Sequence, residues 1–273
     1  MKQATNSRRA RPPRGPITGA VLAAGILAAS VSVLFLQTPS EAAGKARRDG
    51  ESLALRHKKD ADTKSQGSFV ADKGKFRIMV NGQQVGKEEF EIGPSGSDWI
   101  AHGTAEIQSP QGTTHVTGTL TVHPDGTPAR YEWATQGAKK ASAVIGFSGT
   151  SATVELQLQG ARPFTQQFTF TSPLVVVLDN NLYHQYEILA HLYDWEKKGA
   201  QTFSVLVPQE LTPGTVTVDS LGEQELSGKK VEELRVRTED NEIDLFLDGA
   251  KLLRVVAPAA NAEIIREEPH EGK

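Results

Sequence analysis

Four side chains able to bind a cation lie within one short stretch: His184, Glu187, His191 and Asp194. At i, i+3, i+7 and i+10 they share one face of a helix, and imidazole with carboxylate is a ligand set for a divalent metal. The spacing lacks the tighter His-Glu-x-x-His pair. On a helical wheel the four lie opposite the apolar stripe Leu182, Tyr186, Leu189 and Tyr193, where a solvated face belongs. A solvated face is the favoured reading. A metal-dependent hydrolase using His184 and His191, or polar contacts along a cleft, are the alternatives. The same segment crowds Tyr183, Tyr186, Tyr193 and Trp195 together, which points to a plug against a sheet or to one wall of an apolar pocket.

Other constellations carry less chemistry. If Pro110 centres its hairpin, His102 faces Gly118 and His115 faces Ala105, so the two histidines fall on opposite sides of the sheet. Gly146-Phe147-Ser148-Gly149 is one residue short of a nucleophile elbow and has no helix behind it, so it reads as a turn. Glu239-Asp240-Asn241-Glu242-Ile243-Asp244 is acidic but lacks the glycine and distal Glu of a calcium loop, leaving a polar hairpin tip. With no cysteine among 273 residues, thiol catalysis, thiolate metal sites and disulfides are excluded. No catalytic residue and no cofactor emerge.

The elements that position these residues are mostly strands. From Phe69 the dominant period is two, with turn residues every eight to twelve positions. Phe76, Ile78 and Val80 alternate, Asn81-Gly82 supplies the positive-φ pair of a tight hairpin, and Val85–Ile92 runs back. Gly86 sits in phase with Phe90 and Ile92, which calls for a bulge or a close backbone approach. Strands follow at Asp98–Ile107, Thr113–His123, Ala129–Thr135, Ala141–Phe147, Ala152–Leu158 and Phe164–Thr171. After Pro173 come the apolar run Leu174–Leu178, capping side chains at Asp179-Asn180-Asn181, and a helix over about 180–198 that Gly199 ends. Strands resume at Gln201–Val207, Thr215–Ser220, Val231–Thr238, Glu242–Leu247 and Lys251–Val256. This order predicts a mainly β domain over residues 68–262. Its form is a long antiparallel meander curved into a half-barrel or barrel, with one central amphipathic α-helix. A charged tail over 263–273 is expected to fray.

The N-terminus is of another kind. Lys2, Arg8, Arg9, Arg11 and Arg14 precede an uncharged run over 17–36, followed by Ser40-Glu41-Ala42-Ala43. Residues 1–42 thus read as a signal peptide cleaved after Ala42, or as an inner-membrane anchor through 17–36 if left uncleaved. Either places the body of the chain in the periplasm or otherwise outside the cytoplasm. Residues 43–67 are dense in both charges and read as a disordered linker. Beyond residue 42 the chain carries 25 Lys+Arg against 32 Asp+Glu. An acidic body of that kind excludes nucleic acid as a partner.

Phe76, Ile78, Asn81-Gly82, Val85-Gly86, Glu88 and Phe90, with Gly222-x-Gln-x-Leu226 and the run Ile243–Arg254, form a strand pattern that resembles exported bacterial β-sheet proteins of unassigned function. In shape the pattern is also similar to periplasmic carriers of the lipoprotein-localisation type. That likeness implies a half-barrel and helix sheltering acyl chains, with no ligand residues mapped. The function that follows is binding or carrying a hydrophobic small molecule or lipid on the concave face, against Tyr186, Leu189, Tyr193, Phe90, Val176 and Leu178. It requires a cavity of at least about 300 Å³. A non-catalytic structural or assembly role in the envelope would instead leave an uncovered strand edge or a large apolar patch.

Overall fold

The structure, a computed structural model, describes residues 69–238 and 241–268. The signal or anchor, the linker, Glu239-Asp240 and the last five residues lie outside the described residues. Among the described residues no helix is long and apolar enough to cross a membrane.

Eight strands form the first meander: β1 (Asp72–Val80), β2 (Gln83–Ser95), β3 (Asp98–Ser109), β4 (Gly112–Val122), β5 (Pro128–Gln136), β6 (Ala141–Ser148), β7 (Ser151–Leu158) and β8 (Phe164–Thr169). After β9 (Val175–Val177) and α1 (Gln185–Leu192), a second meander follows: β10 (Gln201–Val207), β11 (Thr212–Leu226), β12 (Lys229–Arg237), β13 (Glu242–Asp248), β14 (Lys251–Ala257) and β15 (Ala262–Arg266). All fifteen make one sheet, ordered β8 to β1, then β15 down to β9. The first strand pairs antiparallel with the last, Ile78 opposite Ile264, and this seam joins the two meanders. The sheet does not close, because β8 and β9 remain edges, so the fold is a mainly β half-barrel with one helix. One pair departs from the antiparallel plan: β9 runs parallel to β10.

Local chemistry accounts for the course of the chain. Asn81 and Gly82 both take positive φ, 50° and 74°, the primed turn that matches strand twist. The β1–β2 register slips between Ile78 and Met79. There Gly86 lies so close to β3 that an added Cβ would stand 2.6 Å from the Glu106 carbonyl oxygen, which is why the position is glycine.

Alternation along each strand sends apolar side chains to the concave face, where Phe76, Tyr131, Ile145, Leu234 and Leu245 are fully buried. The chain from Leu174 to Tyr193 crosses that hollow and fills it. This corrects the expected helix in length and in character. Only Gln185–Leu192 is helical, and its sides are buried, including His184, Gln185 and Glu187 at zero exposure. Asn181 at φ 66° breaks the path before it. Tyr193 turns extended at its end, and there Gln201 takes the backbone N–H and carbonyl of Asp194 at 2.9 and 2.8 Å that another helical turn would need. The tail is corrected as well. Residues 263–266 belong to β15, and Arg266 holds Asp72 through two hydrogen bonds of 2.7 and 2.8 Å.

Candidate functional site

Two kinds of interior chemistry converge on the crossing segment: buried charges that hold it, and a cleft that it leaves unfilled. Glu88 points inward because it is in phase with Gly86, Phe90 and Ile92 along β2. Its carboxylate accepts from Tyr183 N at 2.8 Å and lies 2.5 Å from His184 Nδ1. The imidazole stacks on Phe90 at 5.8 Å and 9°, and Phe90 stacks on Phe76 at 5.0 Å. On its other side Gly103 leaves room for the ring that any Cβ would occupy.

Asp179, at the start of the crossing segment, is held by Tyr131 Oη at 2.7 Å and by the N–H groups of Asn180 and Gln209 at 3.0 Å each. Burial raises its carboxyl to about 6, against the pull of those hydrogen bonds. Glu187 accepts from Leu252 N at 3.0 Å and lies 3.8 Å from Arg266. Burial carries it to about 8, the Leu252 N–H pulling the other way and Asp72 adding to the rise. Its Oε1 has no partner among the described residues.

The solvated-face reading of His184, Glu187, His191 and Asp194 is therefore corrected. The first two are enclosed, His191 is partly buried beside Phe69, 5.4 Å ring to ring, and only Asp194 turns to the surface, with Lys197. The reason lies in the sheet: its hollow surrounds the helix, so no side of it is left for water. Among the described residues no group of three or more His, Cys, Asp or Glu is placed to hold a metal. The histidine register is also corrected. His102 pairs with Thr119 and His115 with Glu106, one residue from the expected register, so both lie on the outer face. They border a shallow groove of about 480 Å³ with Lys87, Glu89, Glu91 and Glu106. Gly146–Gly149 is a hairpin turn, with Gly149 at φ 54°.

The unfilled space lies between Leu178–Tyr186 and the second meander. Val205, Val216, Val236, Ile243, Val255 and Ile264 line its depth, and Thr212, Thr215, Thr238 and Asn241 line its rim, where three hairpins of the half-barrel end turn. Its volume is about 40 Å³, far below the expected 300 Å³ and room for about three waters. The crossing segment has taken the rest. Of the six expected ligand residues, Tyr186 and Leu178 line this cleft. Leu189, Phe90 and Val176 are buried in the core, and Tyr193 spends its hydroxyl on the Gly199 carbonyl at 2.9 Å.

A solved structure shares this architecture. The crystal structure of a β-barrel-like protein of the domain of unknown function DUF1849 from Brucella abortus superposes with a TM-score of 0.51 at 10% identity, covering 73% of this chain and 96% of that one. The shared feature is the fold. No family model matches the chain, and no curated protein matches it. The likeness agrees with the strand pattern of β-sheet proteins of unassigned function.

Sequence reasoning missed Glu88, Tyr131 and Gln185, and saw Asp179 and Asn181 only as caps. Glu88 left a signal, since it is the one charge in the inward phase of β2. Gln185 left none, because the Tyr131 hydroxyl that it meets lies 54 residues away.

Proposed function

We propose that this chain is an exported, non-catalytic envelope protein that binds a small hydrophobic ligand in the cleft between Leu178–Tyr186 and β10–β15. The observation that carries the reading is the cleft's lining: an apolar depth meeting hydroxyl and amide groups that lack protein partners. Tyr183 and Tyr186 are only 6% and 8% exposed, and no hydrogen bond among the described residues engages either hydroxyl. Asn181 Oδ1 is buried and equally unpartnered. Convergent polar atoms at the edge of an apolar recess are the mark of a ligand site. Export rests on the basic residues and apolar run of the N-terminus. The reading keeps the general plan of the lipoprotein-localisation carriers, a half-barrel closed by a helix, on a smaller scale.

Native mass spectrometry of protein purified from its own envelope tests it. A co-purified apolar molecule lost from a Val216→Trp variant is the expected result. Bare protein mass, with no thermal stabilisation by any short-chain amphiphile, would refute it.

A second reading, a structural or assembly role, has one observation in its favour. β8 is an open edge of Phe164-Thr-Gln-Gln-Phe-Thr without charge, and Phe164 and Leu158 beside it are 48% and 42% exposed. A photo-crosslinker at Thr165 that captures no neighbour in intact cells would remove it.

A further inference from the structure

We infer that the ligand of this cleft is an uncharged molecule that brings a hydrogen-bond donor, an alcohol or amide on a short apolar chain, and that carboxylates and phosphates are rejected. The inference rests on the binding reading above and adds the class of ligand.

Charge decides first. Among the described lining residues there is no Lys, Arg or His, while Asp179 is one of them. Glu210 stands beside the site, accepting from Asn180 Nδ2 at 3.0 Å. An anionic head would enter next to these acids with no cation to repay its desolvation, a combination that costs several kcal/mol in an apolar recess. Asp179 itself shows the local penalty on negative charge, since burial alone lifts its carboxyl toward neutrality.

Hydrogen-bond polarity decides next. The oxygens of Asp179 are committed to Tyr131, Asn180 and Gln209. The groups with no partner among the described residues are Asn181 Oδ1, an acceptor only, and, able both to donate and to accept, the two phenols together with the Thr215 hydroxyl and the Asn241 amide at the rim. A ligand must therefore bring a donor to satisfy Asn181, and its own oxygen can accept from a phenol. An alcohol or primary amide has both. An ammonium has the donor, but its charge would be desolvated in an apolar recess whose nearest carboxylate, Asp179, is already committed to other partners. Backbone geometry keeps Asn181 in place, because its φ of 66° suits Asn or Gly and few other residues.

Size decides last. Space for about three waters seats roughly four heavy atoms before neighbouring side chains must shift. Probes as small as those used below bind weakly, and NMR is the proper readout for them.

The experiment titrates the intact protein at pH 7.5 with 1-butanol, butyramide, butyrate and butylamine, following the methyl signals of Val216, Val236 and Ile243. Saturable shifts with 1-butanol and butyramide, at least tenfold weaker with butyrate and butylamine, are expected. Asn181→Gly, which tolerates the same backbone, should weaken 1-butanol at least fivefold with melting preserved. Butyrate or butylamine binding as tightly as 1-butanol would overturn the inference and leave the cleft reading standing. Binding by none of the four would overturn the cleft reading itself. An unchanged affinity in Asn181→Gly would remove the assigned acceptor and with it the inference.

Discussion

Glu88 on β2 and His184 at the start of α1 meet at 2.5 Å with no exposure of either side chain. Their contact ties the crossing segment to the middle of the first meander, 96 residues away in sequence. The oxygens of one carboxylate also take the Tyr183 and His184 amides at 2.8 and 3.4 Å, so removing it strands three polar groups at once.

Glu88→Ala should therefore destabilise the fold by about 3–5 kcal/mol, the range for breaking a buried pair from one side. His184→Ala should cost a comparable amount, and the double variant less than the sum, because both remove one interaction. Urea unfolding of the three variants checks this. Strict additivity would show that the pair is not the anchor.

Gly103 makes room for the imidazole, and Gly103→Ala forces the ring off Phe90. A loss of about 1–3 kcal/mol is expected from overpacking. Gly146, with no heavy atom within 4 Å of where its Cβ would stand, is the control. Gly146→Ala should change the melting temperature by no more than a degree or two.

Stability should fall as pH rises from 5 to 9. Asp179 and Glu187 hold protons more tightly in the folded state, at about 6 and about 8 against ordinary values of 3.8 and 4.5. Their contribution is complete below the unfolded values and is lost as pH climbs through the folded ones. For Asp179 alone the change is on the order of 3 kcal/mol. In Asp179→Asn the decline between pH 4 and 6 should be shallower, leaving the one from Glu187 between about 4.5 and 8. Chemical denaturation across pH, reading an unchanged slope in the variant, would contradict the assignment.

The seam between β1 and β15 makes the chain's last described strand essential. Truncation after Asn261 should abolish cooperative unfolding, since it exposes the inward face of β1 and unpairs Asp72 and Glu187. Arg266→Lys keeps the charge but loses the two-pronged grip on Asp72 and the planar contact 5.3 Å from the Phe90 ring. A loss of about 2–3 kcal/mol is expected by calorimetry.

Much of this architecture was legible in the residues themselves. Period-two alternation, Asn81-Gly82 and the Gly86 bulge are local consequences of backbone sterics, and each needs only a few neighbouring residues to be read. Of the six residues expected around a ligand, Tyr186 and Leu178 border the cleft, while Leu189, Phe90, Val176 and Tyr193 do not. The helix was misread at its ends because Glu88 and Gln201, distant in sequence, take the backbone groups there. His102 and His115 were misassigned by one step of register, which reverses a side chain's face.

What the sequence determined by itself is which residues form strands and that they alternate between an apolar and a polar side, because those rest on local geometry and on the dislike of apolar groups for water. The tertiary structure alone decided that the first strand pairs with the last and that His184 and Glu187 lie inside with carboxylate and backbone partners. It also decided that only a narrow cleft survives beside the crossing segment. Each of those depends on groups separated by tens to hundreds of residues, whose meeting is a property of the whole sheet.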